Sequence, residues 1–123
     1  MLFPRLQVKT NVSGLKHPSL ARVILHLEQG LDLLDDARDG YLTVIALELN
    51  AWLVALRVQV PAISETVTVT SDADGLAHFA ALLTLPDVGD LLYRNPMRIR
   101  VLLQSSISFL RSVAAYTDAD RVR

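Results

Sequence analysis

Apolar and polar residues alternate along several short stretches of this chain, and that alternation restricts its fold more than any other feature. Within Met97–Gln104 every second residue is apolar, whereas Arg98 and Arg100 fall on the other parity. Within Trp52–Val60 apolar residues alternate in the same way, and Pro61 follows the run. A half-buried β-strand requires a period of two, and a proline withholds a hydrogen-bond donor from the sheet. The sequence therefore predicts a strand at each stretch.

In the stretch Tyr41–Leu49 apolar residues occupy both the odd-numbered and the even-numbered positions. We therefore expect this strand to be covered on both faces. One cover is the core of the domain. The other is predicted to be another chain, with the N-terminal arm as the alternative, because the backs of this strand and of the Trp52–Val60 strand form one apolar patch if the two strands are neighbours. The predicted interface consists of Leu42, Val44, Ala46, Leu53 and Ala55.

Two segments fit either a strand or a helix. In Ala21–Glu28 the apolar residues alternate, but leucines over the longer range 18–38 also recur at helical spacing, with Ser19 as a candidate N-cap. Gly30 opposes one uninterrupted helix, so a strand over Ala21–Glu28 followed by a loop is favoured. Ile107–Tyr116 presents the same two possibilities, and a final strand is predicted there.

The segment TVTVTSDADGLAHFAAL, Thr66–Leu82, has the pattern of a β-hairpin. Valines alternate with threonines before the turn, and Asp74–Gly75 supplies the residues that adopt positive φ in tight hairpin turns. The aspartates do not complete an EF-hand loop, because Thr70 and Ala81 stand where the first and last calcium ligands are needed. No metal site is predicted here.

This hairpin, followed by MRIRVLL, resembles the central hairpin of carboxypeptidase-regulatory-like, prealbumin-like and invasin-type immunoglobulin-like domains. The resemblance implies a β-sandwich with a binding or structural role. Hydroxyisourate hydrolases, an enzyme branch of the prealbumin-like fold, carry a C-terminal Tyr-Arg-Gly-Ser. Here Tyr93–Arg94 continues as Asn-Pro and the chain ends DADRVR, so the resemblance does not extend to that activity.

These patterns together predict an all-β fold. We expect an antiparallel β-sandwich of about seven or eight strands, immunoglobulin-like or prealbumin-like in type. The first part of the chain, residues 1–18, contains Pro4, Gly14 and Pro18 and is predicted to be an N-terminal arm. Residues 19–123 are predicted to form a single domain, as the length of 123 residues suggests.

Composition excludes several classes of function. The net charge of −1 offers no global attraction for phosphate, which disfavours nucleic acid as a partner. The absence of cysteine removes disulfides, thiolate zinc sites and cysteine nucleophiles. His17, His26 and His78 are far apart in sequence and form no zinc-binding pair. No cofactor is predicted, and no catalytic or metal-binding residue is assigned.

The first ten residues and the apolar runs of the chain predict a cytoplasmic protein, or one in an assembly built in the cytoplasm. The first ten residues lack the pattern of a signal peptide. The longest membrane-span candidate, Tyr41–Val60, is interrupted by Glu48, Asn50 and Arg57, so no membrane span is predicted.

Apolar residues make up 51% of the chain and charged residues only 20%, a balance that favours buried interfaces. We therefore expect a non-enzymatic structural or interaction subunit of a bacterial multiprotein assembly, bound to protein partners or to copies of itself. Arg98 and Arg100 are candidate contacts for an acidic partner. The alternative is a small enzyme or ligand-binding domain that uses an apolar pocket beside the acidic segment Asp32–Asp39.

Overall fold

The computed structural model describes residues 18–37, 42–63, 67 and 73–122, and within these ranges the regular elements are helices, without a strand. Five α-helices follow one another, with a short 3₁₀ turn, Val60–Ile63, after the second. Their bounds are α1, Pro18–Asp36; α2, Leu42–Gln59; α3, Ala73–Leu83; α4, Val88–Arg94; and α5, Pro96–Val122.

The predicted all-β sandwich is wrong, and with it the resemblance to immunoglobulin-like and prealbumin-like domains. Helix α5 shows the reason. Its buried residues recur at intervals of three and four from residue 99 to residue 114, and only the beginning of that series coincides with alternation. The buried apolar residues of α5 are Ile99, Leu102, Leu103, Ile107, Phe109, Leu110, Val113 and Ala114.

The two ambiguous segments are both helical, so the strands favoured at Ala21–Glu28 and Ile107–Tyr116 are wrong. In α1 the buried residues Leu20, Val23, Ile24, Leu27 and Leu34 follow helical spacing, and they form one face of the helix. Residues 107–116 continue α5 without a break.

The predicted hairpin at Thr66–Leu82 is also wrong in the part that can be described. Helix α3 begins at Ala73, so Asp74 stands in its first turn, where a carboxylate is favourable to the helix dipole. Gly75 is buried within that helix rather than placed at the tip of a turn. Val67 is buried, while residues 64–66 and 68–72 lie outside the described residues.

The strands predicted at Tyr41–Leu49 and Trp52–Val60 are wrong in their described part, because residues 42–59 are one continuous helix, α2. Its core-facing side chains pack against α1, and α2 also contacts α4 and the 3₁₀ turn. Helix α5 packs against α1, α3 and α4. Helices α1 and α4 each contact both α2 and α5, so the core lies among these helices.

The alternating pattern of the sequence predicts that eight residues face the core: Trp52, Val54, Leu56, Val67, Val69, Phe79, Ile99 and Val101. Five of them are buried: Trp52, Leu56, Val67, Phe79 and Ile99. Val54 and Val101, which share strand parity with them, are exposed because a shift of two residues turns a helix by roughly 200°. Val69 lies outside the described residues.

Helices α1 and α2 are joined by a reciprocal contact between His26 and Trp52. The Trp52 indole Nε1 donates to the His26 carbonyl oxygen at 2.7 Å, and the imidazole Nε2 of His26 donates to the Trp52 carbonyl oxygen at 2.9 Å. The two rings are stacked, with centroids 5.4 Å apart and planes 7° from parallel. Gly30 is the point on α1 where the indole approaches the backbone.

Helix α4 is held against α2 by a small polar network at its N-terminus. Asp87 is the N-cap, and its Oδ1 accepts from the Asp90 backbone N–H at 2.9 Å and from the Asn50 side-chain amide at 3.1 Å. The Gly89 backbone N–H donates to the Asn50 Oδ1 at 3.2 Å. Gly89 is required at this crossing, since a Cβ there would lie 2.8 Å from the Ala46 carbonyl oxygen.

The Asp87 network predicts a pH dependence of stability. The backbone hydrogen bond from Asp90, and then the side-chain hydrogen bond from Asn50, lower the pKa of Asp87 below its usual 3.8. Its ionised form therefore stabilises the fold above about pH 4, and this contribution is lost as the pH falls through the lowered pKa. We expect Asp87→Asn, which keeps an N-cap acceptor, to lower the Tm at about pH 6, with the difference shrinking toward about pH 3.

Thermal unfolding by circular dichroism across this pH range measures the effect. Asp36→Asn, at the exposed end of α1, is the matched control for loss of one carboxylate. A constant Tm difference between Asp87→Asn and the wild type from about pH 6 to about pH 3 would contradict the role of the Asp87 charge.

Candidate functional site

An uninterrupted apolar stripe runs along the outer face of α2. We define the α2 stripe as Val44, Leu47, Ala51, Val54 and Val58, which are separated by three, four, three and four residues. All five are exposed, and the four larger side chains have exposed fractions of 55%, 67%, 57% and 74% in chain order. Intervals of three and four place residues on one side of a helix, so these side chains form a continuous surface.

The α2 stripe lies opposite the face of α2 that faces the core. Ile45, Leu49 and Leu56 belong to the core, and they are displaced by about half a turn from the stripe. Thr43 and Glu48 border the stripe on its two sides. A surface helix normally carries polar residues opposite its buried face, whereas a helix that is apolar all round is normally covered all round. Helix α2 is apolar on two opposite faces, and the described residues cover only the face that points to the core.

Because α2 is a helix, the predicted interface residues lie on different faces and differ in exposure. Leu42 and Val44 are exposed, Ala55 is half-buried, and Ala46 and Leu53 belong to the core. Only Val44 is part of the α2 stripe. The signal that would have found Leu47, Ala51, Val54 and Val58 is their heptad-like spacing, which the alternating pattern obscured.

Helix α2 and the following turn are long and apolar enough to cross a membrane, judged by length and composition. The stretch Leu42–Ile63 contains an 18-residue window with a mean hydropathy of 1.4, of which 33% is buried inside the protein. In the part of the chain that the structure describes, a second stretch of that kind arises only if α3 and α4, which meet at a bend of 104°, are counted as one span. The buried part of α2 packs on α1 and α4.

A cleft of about 580 Å³ opens where the ends of four helices meet. Its lining comes from the end of α1, the start of α2, the end of α4 and the start of α5. The lining residues are Leu34, Ala37, Leu42, Leu92, Tyr93, Pro96, Met97 and Arg100. The cleft shares no residue with the α2 stripe.

Arg98 and Arg100, the candidate contacts for an acidic partner, point in different directions. Two residues apart on α5, they are separated by about 200° around the helix axis. The Arg100 guanidinium donates to the Asp35 carboxylate at 2.6 Å, whereas Arg98 is exposed. Asp32, Asp35 and Asp36 lie on the last turns of α1, and Asp39 lies outside the described residues.

The described histidines make structural contacts between helices. His26 stacks on Trp52, and His78 of α3 is joined to α5 by a 2.7 Å hydrogen bond between its Nδ1 and the Ser105 hydroxyl. Catalysis by a serine–histidine pair also requires a group that orients the imidazole, and no carboxylate among the described residues bonds to His78. In the described ranges no three potential metal-binding side chains cluster, and His17 is not within those ranges.

No protein-family model, curated protein or solved structure matches this chain. Its function is therefore inferred from the geometry of its own residues.

Proposed function

We propose that this protein is a non-enzymatic interaction subunit that binds an apolar helix of another chain along the α2 stripe. The single observation behind this proposal is the exposure of Val44, Leu47, Val54 and Val58 on one face of a helix whose other face lies in the core. Large contiguous apolar patches on folded proteins mark interaction surfaces.

The stripe has the dimensions and spacing of a helix-pairing seam. It extends over 15 residues of α2, from Val44 to Val58, which is roughly 20 Å along a helix. Alternating intervals of three and four residues are those of the a and d positions of a coiled coil, where side chains of one helix fit between those of the other. Ala51 lies at the middle, and its small side chain allows the two helix axes to approach closely.

A second copy of the chain supplies a helix that fits this seam. In an antiparallel pair, a positions pack against d positions, so Leu47 faces Val58 of the other copy and Ala51 faces Val54. Each larger side chain is more than half exposed, and it contributes on the order of 1 kcal/mol when the exposed part is buried. Both copies contribute, which gives a total comparable to the cost of association and therefore a concentration-dependent complex.

The charges beside the seam favour the antiparallel arrangement. Glu48 borders the stripe, and two copies of it would flank the same layer in a parallel pair but lie several layers apart in an antiparallel one. The Arg57 guanidinium donates to the carbonyl oxygens of Leu83 and Leu85 at 2.7 and 2.5 Å. It is therefore held away from the seam and does not neutralise the Glu48 carboxylate.

Introducing a charge at the centre of the seam should abolish the association. We expect Val54→Asp to leave the helical circular dichroism unchanged, because this side chain is 57% exposed, and to reduce the mass measured by light scattering to the 13.6 kDa of one chain. Val101→Asp is the matched control: Val101 is also exposed, at 45%, but lies on α5 outside the stripe.

Two outcomes would contradict the proposal. A folded Val54→Asp variant that keeps the wild-type mass places the contact elsewhere. A wild-type protein that remains at 13.6 kDa over a wide concentration range rejects the second copy as the occupant of the stripe.

A further inference from the structure

We propose that the cleft between the ends of α1, α2, α4 and α5 binds an uncharged, largely apolar small molecule that carries one hydrogen-bond acceptor. This inference does not depend on the proposed protein interface, because no lining residue belongs to the α2 stripe. It gives a location and a ligand class to the pocket that the sequence suggested beside the segment Asp32–Asp39.

The size and lining of the cleft suit a small molecule rather than water alone. Its volume of about 580 Å³ lies within the range of roughly 300–1,000 Å³ that is typical of ligand sites. Leu34, Ala37 and Leu92 are buried and form its floor, whereas Leu42 and Met97 are exposed at its rim. A ligand seated on this floor would also cover the rim side chains.

The walls of the cleft are held in place by contacts on both sides. On one side the Tyr93 hydroxyl is 3.2 Å from the Thr43 hydroxyl, which links α4 to α2. On the other side Arg100 bonds to Asp35, which links α5 to α1. Asn95 connects the end of α4 to the start of α5. Its backbone N–H donates to the Leu91 carbonyl oxygen at 2.7 Å, and its carbonyl oxygen accepts from the Arg98 backbone N–H at 3.1 Å. A preformed site loses little conformational freedom on binding.

The charges at the mouth of the cleft favour an uncharged ligand. A guanidinium has five N–H donors, and among the described residues Arg100 gives one of them to Asp35. Among the described residues the Asp35 carboxylate lies against the Arg100 guanidinium, so a ligand carboxylate at this position would be repelled by the Asp35 carboxylate. A carbonyl or ester oxygen meets no such repulsion and accepts from the remaining donors.

Nile red, an uncharged fluorescent dye with one carbonyl group, tests the site in the full-length chain. We expect a saturable rise in fluorescence, and we expect methyl decanoate to displace the dye at lower concentration than decanoate, which has the same chain but a charge. Met97→Asp and Leu42→Asp should each weaken dye binding about tenfold or more, since a carboxylate at the rim loses hydration when the ligand covers it. Val101→Asp, one turn further along α5 and outside the lining, is the control.

Arg100→Met provides a signature that an apolar site alone would not give. Loss of the guanidinium donors should shift the emission of bound Nile red to shorter wavelength, because hydrogen bonding to its carbonyl shifts that emission to longer wavelength. Circular dichroism and the Tm check that each variant is folded.

Several results would overturn the proposal. Dye binding that does not saturate, or that Met97→Asp and Leu42→Asp leave unchanged, rejects the cleft as the site. Loss of dye binding in Val54→Asp with retention in Met97→Asp places the dye on the α2 stripe instead. Displacement by decanoate at lower concentration than by methyl decanoate rejects the uncharged ligand class.

Discussion

Phe109→Ala is expected to lower the free energy of unfolding by about 3–5 kcal/mol, the range measured when a packed phenylalanine is removed from a core. Phe109 is 2% exposed and lies in the middle of α5. Its ring packs on Phe79 of α3, with centroids 6.2 Å apart and planes inclined by 43°. Truncation therefore opens a cavity at the junction of two helices, and domains of this size are stable by only about 5–15 kcal/mol.

Chemical denaturation measured by circular dichroism gives this free energy. Ser108→Ala, one residue earlier and exposed, is the matched control and should change it by less than about 0.5 kcal/mol. Phe79→Ala and the double variant complete a cycle, in which we expect a coupling of about 0.5–1.5 kcal/mol between the rings. A loss below about 1 kcal/mol for Phe109→Ala would show that this junction is not packed as described.

The residues of the core were easier to predict from the sequence than the secondary structure that brings them together. Leu56, Phe79 and Ile99 are buried as expected, because large apolar side chains are buried in either kind of fold. The strand assignment failed at α5 because Met97–Gln104 alternates over only eight residues, and β-branched Ile99 and Val101 favour strands locally. A longer window contains the helical series that extends to residue 114.

The same error grouped candidate interface residues that do not share one face of α2. Apolar residues on both sides of Tyr41–Leu49 were visible in the sequence, and helix α2 does have two apolar faces. Which residues share a face depends on the period, however. With a period of two, Val44 falls beside Leu42 and Ala46, whereas with a period of 3.6 it falls beside Leu47 and Ala51.

The cleft had no comparable signal in the sequence. Leu34, Leu42, Leu92 and Met97 converge only because four helix ends meet, and nothing in the local pattern of any one segment relates it to the others. The Arg100–Asp35 pair joins residues 65 positions apart. Predicting such a site requires the topology, which the wrong secondary structure excluded.

Substitution of Gly30 is expected to have the second large effect on stability. This glycine is also the reason why a strand, rather than helix α1, was favoured from the sequence. A glycine inside a helix usually costs stability, so Gly30→Ala in an unhindered helix would be expected to stabilise by about 1 kcal/mol. Here a Cβ would lie 2.5 Å from Cζ2 and 2.7 Å from Cε2 of the Trp52 indole, far inside van der Waals contact. The close approach of α1 and α2 therefore requires this glycine.

We expect Gly30→Ala to lower the free energy of unfolding by about 2 kcal/mol or more, because overpacking a tight contact exceeds the gain in helix propensity. The indole cannot simply move away: its Nε1 donates to the His26 carbonyl oxygen, and the His26 ring stacks on it. Denaturant unfolding measures the loss, with Gln29→Ala, exposed on the same helix, as the matched control. In a Trp52→Leu background, where the smaller side chain leaves room for a Cβ, the same Gly30→Ala change should become neutral or stabilising. If Gly30→Ala instead stabilises the protein with Trp52 in place, the helices do not approach as closely as this contact requires.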